Sequence, residues 1–143
     1  MNDETVLLER SMAPTLADVR GVRQDVRAAL VGAGAGTDLA ADAELVASEL
    51  LTNAVEQRPD GDVHVVVLRR ATHVVLVVTN PTGEDHLPPV ESWPSLTDAA
   101  GARGRGLPIV AALTERLEID QDADVTSIAC WWRVVADDEV RPG

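Results

Sequence analysis

Val74-Val75-Leu76-Val77-Val78 is an unbroken apolar run, bounded by His73 and Thr79 and built almost wholly from β-branched side chains. Branching at Cβ restricts χ1 and favours a pleated, extended backbone. Alternate residues of a strand point to opposite faces, so this strand is apolar on both. A sheet with one wet face would alternate apolar and polar instead. The run therefore restricts the chain to folds in which this strand is central: either it is covered on both sides, or its outer face meets another subunit. Val63 to Arg69 is a second strand candidate, and Arg70-Ala71-Thr72 between them reads as the turn of an antiparallel hairpin.

The flanking segments supply further elements. Thr5 to Glu9 reads as a short strand, and Ser11-Met12-Ala13-Pro14 as a turn feeding a helix with Pro14 near its first position. That helix runs to about Leu30, with Leu16, Val19, Val22 or Val26, and Leu30 at helical spacing and Arg20, Arg23, Asp25 and Arg27 on the wet side. Gly32 to Gly36 reads as a flexible linker, since its glycines match no phosphate-loop spacing. Thr37 or Asp38 caps the next helix, whose stripe is Leu39, Ala43, Val46, Leu50 and Ala54 and which ends before Arg58-Pro59-Asp60-Gly61.

Residues 80–102 lack periodicity and contain several prolines, so residues 81–103 are expected to form a lid or binding loop. Arg103 to Pro108 then opens a helix with Ile109, Val110, Leu113 and Leu117 buried. Leu117 to Gln121 and Val125 to Val135 read as a closing hairpin, with Ile128, Cys130, Trp132 and Val134 on one face and Ser127, Trp131 and Arg133 on the other. Trp131 is expected beneath the N-terminal strand, at a dimer interface, or as a single exposed aromatic. Residues 136–143 are expected to fray. The pattern predicts an α+β fold, a two-layer sandwich of a mostly antiparallel sheet with helices on one face, forming a single domain over residues 1–143.

Charge narrows the partners. The chain carries a net charge of −12, and all twelve basic residues are arginine. Nucleic-acid binding, which depends on neutralising phosphates, is not expected. A basic protein partner is. A single cysteine excludes an intrachain disulfide. The charged start MNDETVLLER is no signal peptide and no apolar run approaches a membrane span, so a cytoplasmic protein without membrane contact is expected. His64, His73 and His86 are dispersed, with no metal-site spacing.

Chemistry concentrates in three segments. Glu49 and Asn53 are four apart on the second helix and share a face beside its apolar stripe. An asparagine oxygen suits Mg²⁺ and a glutamate can orient or deprotonate a nucleophile; equally, Glu49 is solvated and Asn53 satisfies a backbone group. Gly104-Arg105-Gly106-Leu107 stands at a helix start, where backbone N–H groups and the helix dipole favour phosphate, with Arg103 or Arg105 in reach. An ordinary glycine-rich loop is the alternative. Thr79-Asn80-Pro81-Thr82-Gly83 follows the most apolar strand, where a polar side chain can read a ligand's edge or simply make an Asn-Pro turn.

In this order the three segments resemble the nucleotide-binding domain of the GHKL superfamily, shared by gyrase, histidine kinases and related ATPases. SELLTNAVEQ and GRGLPIVAALTERLEI look like the small bacterial serine-kinase subgroup that includes anti-sigma factors. The resemblance implies a Bergerat-type ATP-binding fold and a kinase acting on a serine or threonine hydroxyl of an antagonist protein, with a sigma factor as further partner and a homodimer as an option. It implies Glu49 as catalytic base, Asn53 as Mg²⁺ ligand and ATP contact, Asn80 and Thr82 on the adenine side, and Arg103, Gly104, Arg105, Gly106 and Leu107 near the phosphates. Three positions depart from the pattern. Asn80 stands where the family has aspartate, Thr82 where it has glycine, and Gln57 where the subgroup often has histidine. The lid has no lysine and carries Glu84, Asp85, Glu91 and Asp98. These departures also admit a non-catalytic interaction module that keeps the fold and has weakened or lost nucleotide binding.

Overall fold

The computed structural model describes residues 4–13, 15–57, 61–82 and 106–134. Strand β1 spans Glu4–Met12, helix α1 Leu16–Gly32, helix α2 Thr37–Gln57, β2 Val63–Arg70, β3 His73–Pro81, α3 Gly106–Leu113, β4 Arg116–Gln121 and β5 Val125–Arg133. The strands form one sheet, fully antiparallel, in the order β1-β2-β3-β5-β4. The Val74–Val78 run is thus the middle strand.

On the inner face Val63, Val65 and Val67 of β2, Val74, Leu76 and Val78 of β3, and Ile128, Cys130 and Trp132 of β5 are buried. Against them lie Val19, Val22, Val26 and Leu30 of α1, Ala43, Val46, Ala47, Leu50, Leu51 and Ala54 of α2, and Val110 of α3 in one continuous core. This is the expected two-layer α+β arrangement, and it buries one stripe of each helix.

Several local expectations change. Ser11 and Met12 extend β1, pairing with His64 and Val63, because β2 offers backbone partners over that whole length. Thr15 caps α1, its side chain accepting from the Asp18 N–H at 3.2 Å; Pro14 lies outside the described residues. The glycine tract is a tight turn instead of a flexible linker. Ala35 N–H bonds Leu30 O and Gly34 N–H bonds Val31 O, both at 3.0 Å, with Gly34 at φ +91°. This is how a helix C-terminus satisfies its last carbonyls. Arg69 reaches from β2 to Ala33 O at 2.6 Å and holds the turn to the sheet. Leu117 belongs to β4, not to the buried side of α3. Pro81 is still in β3, paired with Val125, so the expected lid begins on the sheet; residues 83–103 of it, the loop residues up to Arg105 and the tail from residue 135 lie outside the described residues.

A register shift between Val6 and Leu8 leaves Leu7 unpaired opposite β2. The bulge lets both Leu7 and Leu8 pack against the core, which strict alternation would forbid.

Candidate functional site

Asn80 sits on the inner face of β3, two residues beyond the core residue Val78 and opposite Thr126 of β5. Asn80, Thr82 and Thr126 are the only buried polar residues among those described, at 5 %, 4 % and 1 % exposure. All three are at one end of the sheet. Thr82 Oγ1 donates to Asp122 O at 2.8 Å and lies 2.9 Å from Thr126 Oγ1, which in turn bonds Gln121 Oε1 at 3.2 Å. The cluster is tied internally, with one exception. Asn80 Nδ2 donates to Pro81 O at 3.0 Å, but its Oδ1 makes no hydrogen bond to any described residue. Arg23 Nε alone is a fully buried side-chain polar atom without a partner among the described residues, so Asn80 Oδ1 reaches the surface and is open to a ligand N–H or water.

The turn before β2 fixes this end of the sheet. Gly61 is buried, and a Cβ there would meet Pro81 Cγ at 2.6 Å. Only glycine admits the approach that brings the end of α2, the start of β2 and the end of β3 together. Asn53, one turn before the end of α2 at Gln57, is therefore at the same end of the molecule as Asn80.

The azimuth of Glu49 and Asn53 follows from helix geometry. At about 100° per residue, Glu44 falls on one flank of the buried α2 stripe and Glu49 and Asn53 on the other. Glu44 is paired with α1, to Arg27 at 2.9 Å and Arg23 at 3.8 Å. Helix α3 packs against α2 as well. Both Glu49 and Asn53 are half-buried, and neither makes a hydrogen bond or ion pair with a described residue. Asn53 accordingly satisfies no described backbone group.

At the far end of the sheet, Trp132 Nε1 donates to Leu113 O at 2.7 Å and pins the C-terminus of α3. Gly106, the first residue of α3, is the end remote from that contact, and Leu107 packs half-buried against the core. Arg103, Gly104 and Arg105 lie outside the described residues. The structure thus gathers Asn53, Asn80 and Thr82 at one end of the sheet, with Glu49 a turn further along α2. Sequence reasoning missed Thr126 and Gln121, which complete the polar cluster; the only signal was a polar residue on the apolar face of β5 at Thr126.

Among the described residues no three His, Cys, Asp or Glu side chains cluster as a metal site. His64 pairs instead with Ser11 Oγ at 3.0 Å and Glu9 at 3.3 Å, and His73 with Thr72 at 3.1 Å; His86 is outside the described residues. Cys130 is fully buried, and burial pushes its thiol from 9.0 up to about 12.

An antiparallel sheet layered with helices on one face, with a polar cluster at the end of its middle strand, defines a two-layer α+β class. Residues 12–132 match the family described as Histidine kinase-like ATPase domain, and the chain belongs to that family. Membership implies ATP as the ligand. Two solved structures share the fold. One is a chain of the SiaB–SiaC complex from Pseudomonas aeruginosa, at 16% identity and TM-score 0.68 over 89% of each chain. The other comprises the RsbU and RsbW domains of Rv1364c from Mycobacterium tuberculosis, at 21% identity and TM-score 0.62. The match covers 88% of the present chain and 32% of that one. No curated protein sequence matches the chain significantly. No described helix is long and apolar enough to cross a membrane.

Proposed function

We propose that the protein is a cytoplasmic, ATP-dependent regulatory kinase of the anti-sigma type. It phosphorylates a serine or threonine hydroxyl on an antagonist protein and sequesters a sigma factor. The observation that carries this reading is the Glu49–Asn53 flank, without a partner among the described residues, on a helix whose Glu44 is paired to α1. Likeness to a chain of a two-protein complex and to a protein with an RsbW domain supports a partner-switching role.

The residues suit the group they would hold. Asn53 offers a neutral hard oxygen, fitting a magnesium ion that takes its other ligands from phosphate and water. Mg²⁺, when bound, neutralises charge on the phosphate oxygens. Asn80 Oδ1 would accept from the adenine amino group, and the amide N–H groups at the start of α3, with Gly104 and Gly106, would lie along the phosphates. Arg103 or Arg105 adds positive charge. Glu49 would orient the acceptor hydroxyl and take its proton as the oxygen–phosphorus bond forms; the bond to the bridging oxygen breaks and ADP leaves.

Transfer of the γ-phosphate to a co-purified antagonist by wild type, and its loss in Glu49→Ala, is the expected result. Equal transfer by both would overturn the role of Glu49. A second reading, the non-catalytic module, is favoured by Thr82, whose buried side chain fills the place of a glycine. It predicts partner binding by both proteins and transfer by neither. A homodimer belongs to the same proposal and rests on the outer sheet face.

A further inference from the structure

We infer that Thr82, clamped to the β4–β5 turn, is a positioning residue that fixes which way the Asn80 amide faces. The proposed nucleotide site, on whose reading this rests, thereby takes a purine with a 6-amino group and rejects a 6-oxo one. An asparagine is ambiguous where an aspartate is not. Its oxygen accepts and its NH₂ donates, so by turning over it could meet either an amino or a carbonyl group.

The end of β3 removes that choice. The Thr82 N–H donates to Asp124 O at 3.0 Å. A trans peptide sets its C=O and N–H on opposite sides, so the Pro81 carbonyl of the same peptide is held pointing away from β5. The Thr82 hydroxyl adds a second tie to the turn, donating to Asp122 O at 2.8 Å. The turn is itself braced by Asp122 Oδ1, which accepts from the N–H groups of Asp124 and Val125, both at 2.8 Å. Against a fixed carbonyl the Asn80 amide has one stable orientation, Nδ2 toward Pro81 O at 3.0 Å and Oδ1 outward. Turned over, it would set two oxygens against each other.

Neither buried hydroxyl offers a donor to a base. The Thr82 proton goes to Asp122 O, and the single Thr126 proton lies between Thr82 Oγ1 at 2.9 Å and Gln121 Oε1 at 3.2 Å. An incoming base edge therefore meets the acceptor of Asn80. An adenine 6-amino N–H complements it, whereas O6 of hypoxanthine or guanine would face Oδ1 with no proton between them. Asn80 and Thr82, two departures from the family pattern, thus form one device: the asparagine needs orienting and the threonine orients it. A glycine at position 82 would keep only the backbone tie.

Titration calorimetry of the full chain with ATP and with inosine triphosphate, each with Mg²⁺, tests this through the ratio of the two Kd values. Wild type is expected to bind ATP roughly ten- to a hundredfold more tightly. Thr82→Val keeps the volume and the N–H but loses the hydroxyl, and the ratio should fall to about threefold or less. Thr82→Ser should restore it. Asp122→Ala, which removes the brace of the turn at an exposed residue, should lower the ratio as well. A ratio unchanged in Thr82→Val and Asp122→Ala, with both affinities falling together, marks a merely structural role and overturns the inference while ATP binding stands. Equal affinity of wild type for the two nucleotides overturns it too. Binding of neither by wild type removes the nucleotide reading itself, and the inference with it.

Discussion

Asn80 has one end of its amide engaged and the other open, and that asymmetry makes it the most informative single residue. Its Nδ2 closes a bond to Pro81 O, so only the acceptor end is available to a ligand. Asn80→Asp would set a carboxylate against that carbonyl, and denaturant unfolding should show a loss of about 1–3 kcal/mol. The departure from aspartate is therefore physically coherent here. Cys130 gives a second residue-level prediction. The unfolded chain releases its thiol proton near pH 9.0 while the folded one holds it to about 12. Stability should fall as pH rises between those values, and be untouched by this group below pH 9.0. Thiol labelling at pH 8 should require unfolding.

At the scale of elements, the two-residue β2–β3 turn strains Ala71 at φ 54°. Ala71→Gly removes a clash worth about 1 kcal/mol and should raise stability by that order in denaturant melts. Gly61→Ala should do the reverse, costing about 1–3 kcal/mol by forcing Pro81 away and loosening Asn80 with it. The elements themselves were legible because their periods differ: the Val74 run could only be a strand, and α1 and α2 carried clear stripes. Their ends were not. Where β1 stops depends on how much of β2 offers a partner, and whether Gly32 to Gly36 bends or floats depends on Arg69, a residue far away in the chain.

For the whole molecule, the two-layer arrangement gives the two faces of the sheet different character. The helix side holds the polar cluster and the Glu49–Asn53 flank; the outer side carries Val75, Val77 and Trp131. The either/or posed by the Val74 run was legible, but not which strands would flank it. The expectation that Trp131 packs beneath the N-terminal strand fails because β1 and β5 are separated by two strands, a topology that no local pattern encodes. The candidate segments stood out in the sequence because Asn80 continues the apolar face of β3 and Glu49 and Asn53 border the apolar stripe of α2. That Thr126 and Gln121 would join Asn80 was not legible, because cross-strand register decides it.

The central claim is that this end of the sheet binds ATP through Asn80. Titration calorimetry with ATP and Mg²⁺ tests it most directly. The expected result is saturable binding by wild type and a Kd roughly ten- to a hundredfold weaker for Asn80→Ala, the loss of one buried hydrogen bond. No heat at millimolar nucleotide, or equal affinity in both proteins, would contradict it.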